Sequence, residues 1–377
     1  MLFPNVPVNT KTFYRIPRSS TVPGTKALTG LGAIGYFVDG VAMFDGRDGF
    51  YWNGTAETGG MGSGFWNRDA YVNEGVTFDP ANAHQPGFGM YHYHANPIAL
   101  RYLLGDHVAF NAATKIYSES ATNLHHSPIL GWVRDGHPIY GPYGYSTANN
   151  TNSAVRRMIS GFVLRNGQNG TDNLSAIGRT SIPAWAARVY NVSTNQTGPA
   201  VGTNYPLGRY MEDNAYLGDL GQTQGINFDL DEYNGRFCVT PEYPGGTYAY
   251  FVSVSSNGTP VFPYNIGRAF YGNPTGATVT TLTESVTTNF VGGTNATLEL
   301  SAPVLNSSNS TVTLVWSSVE GGTYLVESNT NLANGWNTRA SNIVALGITM
   351  QVTTNRNGDV EFYRTRRTGV VSFDPVK

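Results

Sequence analysis

The chain is poor in the residues on which several protein classes depend. It has one cysteine, Cys238, so no disulfide can close within it and its stability must come from packing, with or without a metal. It has four lysines, only 13% charged residues and a net charge of -2 in 377 residues. No basic cluster is present, which excludes nonspecific nucleic-acid binding through counterion release. No apolar run is long enough for a membrane-spanning helix. Nucleophile-elbow, zinc-protease and phosphate-loop motifs are absent too, which argues against the common hydrolase and nucleotide-binding classes. Helical spacing is scarce, because Gly or Pro interrupts most windows.

What is present is glycine, tyrosine and alternation. The chain contains 45 Gly and 23 Tyr, and aromatics make up 12% of it, too many for a disordered chain. The runs 33–44, 246–254 and 311–316 alternate in the manner of half-buried strands, with turn residues between them. We therefore expect an all-β fold with few short helices, at 96–104 and 181–188. The organisation expected is an N-terminal extension over 1–29, a main domain over 30–276, an almost uncharged linker or edge-strand segment over 277–301, and a small β-sandwich over 302–377.

All seven histidines fall between His84 and His137. His92 and His94 stand two apart, so on a strand both imidazoles leave the same face, while Tyr91 and Tyr93 leave the other. Two imidazoles so placed clamp a borderline metal such as copper or zinc. His126, in Leu124-His125-His126-Ser127-Pro128, can supply a third, and His84 a fourth or a supporting partner. Met90, Asp135 and His125 are further candidate ligands. Cys238 is a candidate only for a blue-copper-like set, and more simply a small core residue. The acidic residues Glu212, Asp213, Asp219, Asp229, Asp231, Glu232 and Glu242 are candidates for a calcium site. Ser127, His126 and Asp135 hold the residue types of a catalytic triad, but adjacent Ser and His side chains diverge on an extended chain. A copper redox enzyme would need an open coordination position.

The text around the pair is specific. Gly89-Met90-Tyr91-His92-Tyr93-His94 with Pro97, then His126-Ser127-Pro128-Ile129-Leu130-Gly131-Trp132, Asp135-Gly136-His137-Pro138-Ile139-Tyr140-Gly141-Pro142-Tyr143-Gly144, and Thr240-Pro241-Glu242-Tyr243-Pro244-Gly245-Gly246-Thr247-Tyr248 resemble the YHYH domain over roughly residues 30–275. The resemblance implies a secreted, largely bacterial domain that binds metal, with copper as the metal. His92, His94 and His126 match its most characteristic histidines and His84 matches more loosely. His137 stands where the family usually has Phe, and His107 and His125 match nothing. Val315-Trp316-Ser317-Ser318, Gly322-Thr323-Tyr324-Leu325-Val326-Glu327-Ser328 and Trp336 resemble fibronectin-type-III-like modules of secreted proteins, which implies a spacer or adhesion role.

Few lysines and the Asn-x-Ser/Thr triplets at Asn53, Asn149, Asn169, Asn191, Asn257 and Asn295 lead us to expect an extracellular or cell-surface protein, although residues 1–5 show no leader. The function expected is extracellular metal binding. The alternatives are a filament or matrix subunit whose metal is a staple, since edge strands without Lys pair readily with a second copy, and the redox enzyme.

Overall fold

The computed structural model describes residues 7, 8, 10, 12–60, 64–120, 122–285, 298–306, 308, 310–319 and 321–370. It is all-β with a few short helices and divides into two compact units, Met1–Thr281 and Leu282–Lys377. Among the described residues, no helix is long and apolar enough to cross a membrane.

The first unit is organised by an eight-stranded sheet. Its strands are β1 (Gly35–Phe37), β2 (Ala42–Met43), β3 (Ala83–His84), β4 (His92–Tyr93), β5 (Ile129–Val133), β6 (Pro138–Tyr140), β7 (Gly235–Cys238) and β8 (Thr247–Phe251). They lie in the order β7-β8-β6-β5-β1-β2-β4-β3. The alternating run 33–44 is a hairpin. Gly40, at φ 82°, reverses the chain, and Asp39 accepts a hydrogen bond from the Val41 N–H at 3.0 Å. Strands β2 and β4 pair in parallel, Ala42 opposite His92, whereas β3 and β4 are antiparallel with His84 directly opposite His92.

One sheet face carries the core. Phe37, Met43, Tyr93, Leu130, Val133, Ile139, Tyr250 and Val252 are buried together, and Tyr93 meets Phe37 edge-on at 5.4 Å. Cys238 is buried and free, packed with Tyr140, Met158 and Phe251. A second cluster gathers Trp66, Phe162, Trp185 and Phe262. A helix forms at Ile98–Leu103, inside the expected window, and another at Ala184–Tyr190, which overlaps the window 181–188 and runs two residues past it; the short helices Ala70–Glu74 and Leu174–Ile177 were not expected. Within the segment 277–301, Ala277–Val279 pairs with Phe13–Arg15, and residues 286–297 lie outside the described residues.

The acidic residues considered for calcium do not assemble, because each is already satisfied elsewhere. Asp213 takes Arg179, Asp229 takes Arg156, and Asp219 and Glu232 share Arg188. Asp231 accepts from the Tyr248 hydroxyl and Glu242 from the Tyr140 hydroxyl. Glu212 is fully buried, held by the Asn67 backbone N–H at 2.8 Å and the Tyr190 hydroxyl at 2.7 Å. Burial pushes its carboxyl up to about 7. A raised folded-state pKa gives stability that is present below pH 4.5 and lost as pH rises toward 7. Glu212→Gln therefore flattens the stability curve between these pH values, removing a slope worth at most about 3 kcal/mol in total. Parallel curves for wild type and variant in urea titrations across that range would contradict this.

The second unit contains β9 (Val304–Asn306), β10 (Thr311–Ser317), β11 (Gly322–Asn329), β12 (Asn337–Val344), β13 (Thr349–Asn355) and β14 (Phe362–Val370). Two three-stranded sheets, β9-β10-β13 and β12-β11-β14, share one apolar cluster of Val312, Leu314, Trp316, Tyr324 and Val326. Every second residue of β10 is buried, the pattern of a sandwich layer.

Candidate metal centre

Three imidazoles converge at the edge of the large sheet. The cross-strand pairing of β3 and β4 sets His84 beside His92, and the two-residue step brings His94 to the same side. His92 Nε2 stands 3.0 Å from His84 Nε2 and 2.9 Å from His94 Nε2. All three residues are buried. Among the described residues this is the one group of three or more His, Cys, Asp or Glu side chains close enough to hold a metal ion together.

The opposite ring nitrogens fix the tautomers. His92 Nδ1 lies 2.9 Å from the Met90 carbonyl and His94 Nδ1 lies 2.6 Å from the Asp45 carbonyl. A carbonyl only accepts, so both Nδ1 atoms carry the proton. His84 Nδ1 is 2.8 Å from Thr77 Oγ1, whose hydroxyl donates to the Glu74 carbonyl at 2.6 Å. Thr77 has thus used its proton and accepts from His84. Each Nε2 is left with a lone pair, and the three lone pairs face one another. Such a set is repulsive by itself and is what a metal ion requires.

The surroundings keep the rings neutral. Burial lowers His84 to about 3 and His92 to about 2, with the neighbouring His94 acting in the same direction, and burial also lowers His94. Phe44 stacks on His92 at 3.8 Å between ring centres, and Phe78 meets His84 edge-on at 4.8 Å. The imidazoles line a cavity of about 570 Å³ whose walls include Leu31, Phe44, Pro86 and the exposed Phe88. The site is therefore open to a small molecule.

Of the residues expected to bind metal, the structure brings together His84, His92 and His94. His126 does not join them. Its Nδ1 bonds to the Ser127 carbonyl at 2.8 Å, its ring packs on Tyr140, and its buried Nε2 lacks a hydrogen-bond partner. Met90 contributes its backbone carbonyl to the site. The Asp135 carboxylate is taken by the Tyr250 hydroxyl at 2.6 Å and the Gly272 N–H at 2.8 Å. The exposed His125 donates its backbone N–H to His107 Nε2 and packs on that ring. Ser127, His126 and Asp135 make no triad either, since the Ser127 hydroxyl donates to Asp106.

The sequence carried no signal for Glu74. It ends the short helix α1 (Ala70–Glu74), which the Asp69 side chain caps at Val72. Its Oε2 lies 3.6 Å from His84 Nε2 and 3.4 Å from His94 Nε2. Thr77 and Phe78 belong to the same stretch, so one turn supplies a carboxylate, an orienting hydroxyl and an aromatic wall. Burial, and then the charge of Asp48, push the Glu74 carboxyl up to about 8.

Residues 13–262 match a family model described as YHYH protein. No curated protein and no solved structure matches the chain.

Proposed function

The chain belongs to the YHYH protein family, and from that premise we propose that it is a metal-binding protein that holds a copper ion through His84, His92 and His94, with zinc as the alternative ion. The observation that carries this reading is the set of three outward Nδ1 protons with three inward Nε2 lone pairs. Imidazole nitrogen suits both ions, and for a given nitrogen site Cu(II) binds most tightly of the divalent first-row metals. We further propose that the protein works outside the cell. The sequon asparagines Asn53, Asn149, Asn169, Asn191 and Asn257 are exposed, as glycan acceptors must be; Asn295 lies outside the described residues. The fibronectin-like reading of the second unit agrees with this, its two-sheet sandwich being suited to a spacer or adhesion role.

The cavity favours a site that meets other molecules over a buried staple in a filament subunit, because structural sites are closed and working sites keep a position open. It therefore also supports a copper redox enzyme as the second reading. A bound copper ion would supply one-electron chemistry there, and the protein's own part is to orient the rings through Thr77 and two carbonyls and to wall them with Phe44 and Phe78.

Metal analysis of the purified full chain tests the reading. We expect about one equivalent of copper or zinc in the wild type and a loss of nearly all of it in His92→Ala and His94→Ala. Negligible metal in the wild type after incubation with either ion would sink the proposal.

A further inference from the structure

The cavity beside the imidazoles offers hydrocarbon and lone pairs, while the hydrogens of its polar side chains are turned into the protein. Arg47 spends its guanidinium on Asp45 at 2.8 Å and on the Thr29 carbonyl at 2.9 Å. Both amide hydrogens of Asn73 go to carbonyls, those of Asp69 at 2.7 Å and Arg209 at 3.0 Å. The Thr77 hydroxyl donates to the Glu74 carbonyl, and the Nδ1 protons of His92 and His94 also go to carbonyls. All of these residues line the cavity. A phosphate or a carboxylate needs donors or a spare cation, and a sugar needs donors as well as acceptors. These side chains supply neither ligand with them.

The rest of the wall is apolar, and aromatic at its rim. Phe88 lines the cavity and is yet 63% exposed. The turn 86–89 carries it between two glycines, closed by the Gly89 N–H to the Pro86 carbonyl at 2.8 Å. Gly89 sits at φ 78°, which a side chain there would resist. Leu31 and the half-buried Phe44 continue the surface. Such a wall gains most by covering a flat, apolar body. The volume of about 570 Å³ accepts a molecule of about one or two aromatic rings.

One polar feature remains to be met, the three Nε2 lone pairs. Without metal they accept a proton from a ligand hydroxyl. An ion held by the three imidazoles has the same cavity before it and a position to spare, so the oxygen keeps a partner in either state. We propose that the cavity seats a phenol, its ring against Phe88, Leu31 and Phe44 and its hydroxyl toward the imidazole nitrogens. The inference rests on the reading of this cavity as the working side of the metal centre, and names the class of molecule that side receives.

Calorimetric titration of the full chain with 4-methylphenol, once loaded with redox-inert Zn(II) and once in chelator, tests the seat. Three controls each remove one feature: 4-methylanisole the proton, cyclohexanol the aromatic ring, and benzoate the neutrality. We expect 4-methylphenol to bind at least about tenfold more tightly than any of them. Phe88→Ala, at an exposed position, weakens it by roughly 3–10-fold, the scale of one aromatic pair, and Phe88→Tyr restores it. Equal binding of 4-methylphenol and any control overturns the seat, and so does unchanged affinity in Phe88→Ala. Metal analysis of the same samples keeps the two readings apart. A wild type that takes up Zn(II) without preferring the phenol overturns the seat and leaves the metal centre standing. A wild type that takes up no ion overturns the metal reading, and the titration in chelator then judges the seat by the same criteria.

Discussion

Zn(II) supplied at about a thousand times its Kd raises the unfolding free energy by about 4 kcal/mol, and the increment vanishes in His94→Ala. The ion binds a constellation that exists only in the folded state, because the three nitrogens come from two paired strands and the step after them. For a unit the size of the first, an increase of this size moves the thermal midpoint by about 10 °C. His94→Ala also leaves the Asp45 carbonyl without its imidazole donor, so the variant starts lower. The quantity to compare is therefore the shift on adding ion to each protein, measured by scanning the full chain with Zn(II) and with chelator. Equal shifts in both proteins would show that the ion acts elsewhere.

Arg101→Met costs about 3–5 kcal/mol, the penalty for stranding buried charges. Arg101 lies on α2 (Ile98–Leu103) and is fully buried. It donates to Asp106 Oδ2 at 2.7 Å, to Asn96 Oδ1 at 2.9 Å and to Glu119 Oε2 at 3.0 Å. Asp106 accepts in addition from the Ser127 hydroxyl at 2.5 Å, and a side chain at Gly141 would overlap Asp106 and Ser127. Removing the guanidinium therefore leaves two carboxylates uncompensated in a space with no room for relaxation. Because the group is dry, raised salt will not restore it. Denaturant titration reads the cost, and Glu119→Gln in the Arg101→Met background should recover part of it. A loss below about 1 kcal/mol would mean that water reaches the network.

The sequence was most readable where structure depends on near neighbours. Alternation over 311–316 is a property of one strand, and β10 appears there with the expected face buried. The step from His92 to His94 is likewise local, and so is the turn after Pro86 that returns β4 alongside β3. The parallel pairing of β2 with β4 joins residues fifty apart through strands of two residues each, too short to leave a periodic mark. Glu74 was invisible for a related reason. One acidic residue at the end of a five-residue helix looks like any solvated side chain, and only the tertiary approach of α1 to β3 brings it to the imidazoles. His126 belongs to a motif as regular in text as that of His92, yet its ring faces Tyr140. A motif records which residues occur together in a chain, and not which of them meet in space.

Two of the three groups that aim the imidazoles are main-chain carbonyls, those of Asp45 and Met90. Replacing either side chain leaves the carbonyl where it was, so an alanine scan of the metal centre would score position 90 as dispensable. Any effect at position 45 would report the ion pair of its side chain with Arg47. The aim of the rings is thus largely shielded from point mutation. Genetic variation can delete a ligand outright, but it has few single steps by which to detune the site gradually.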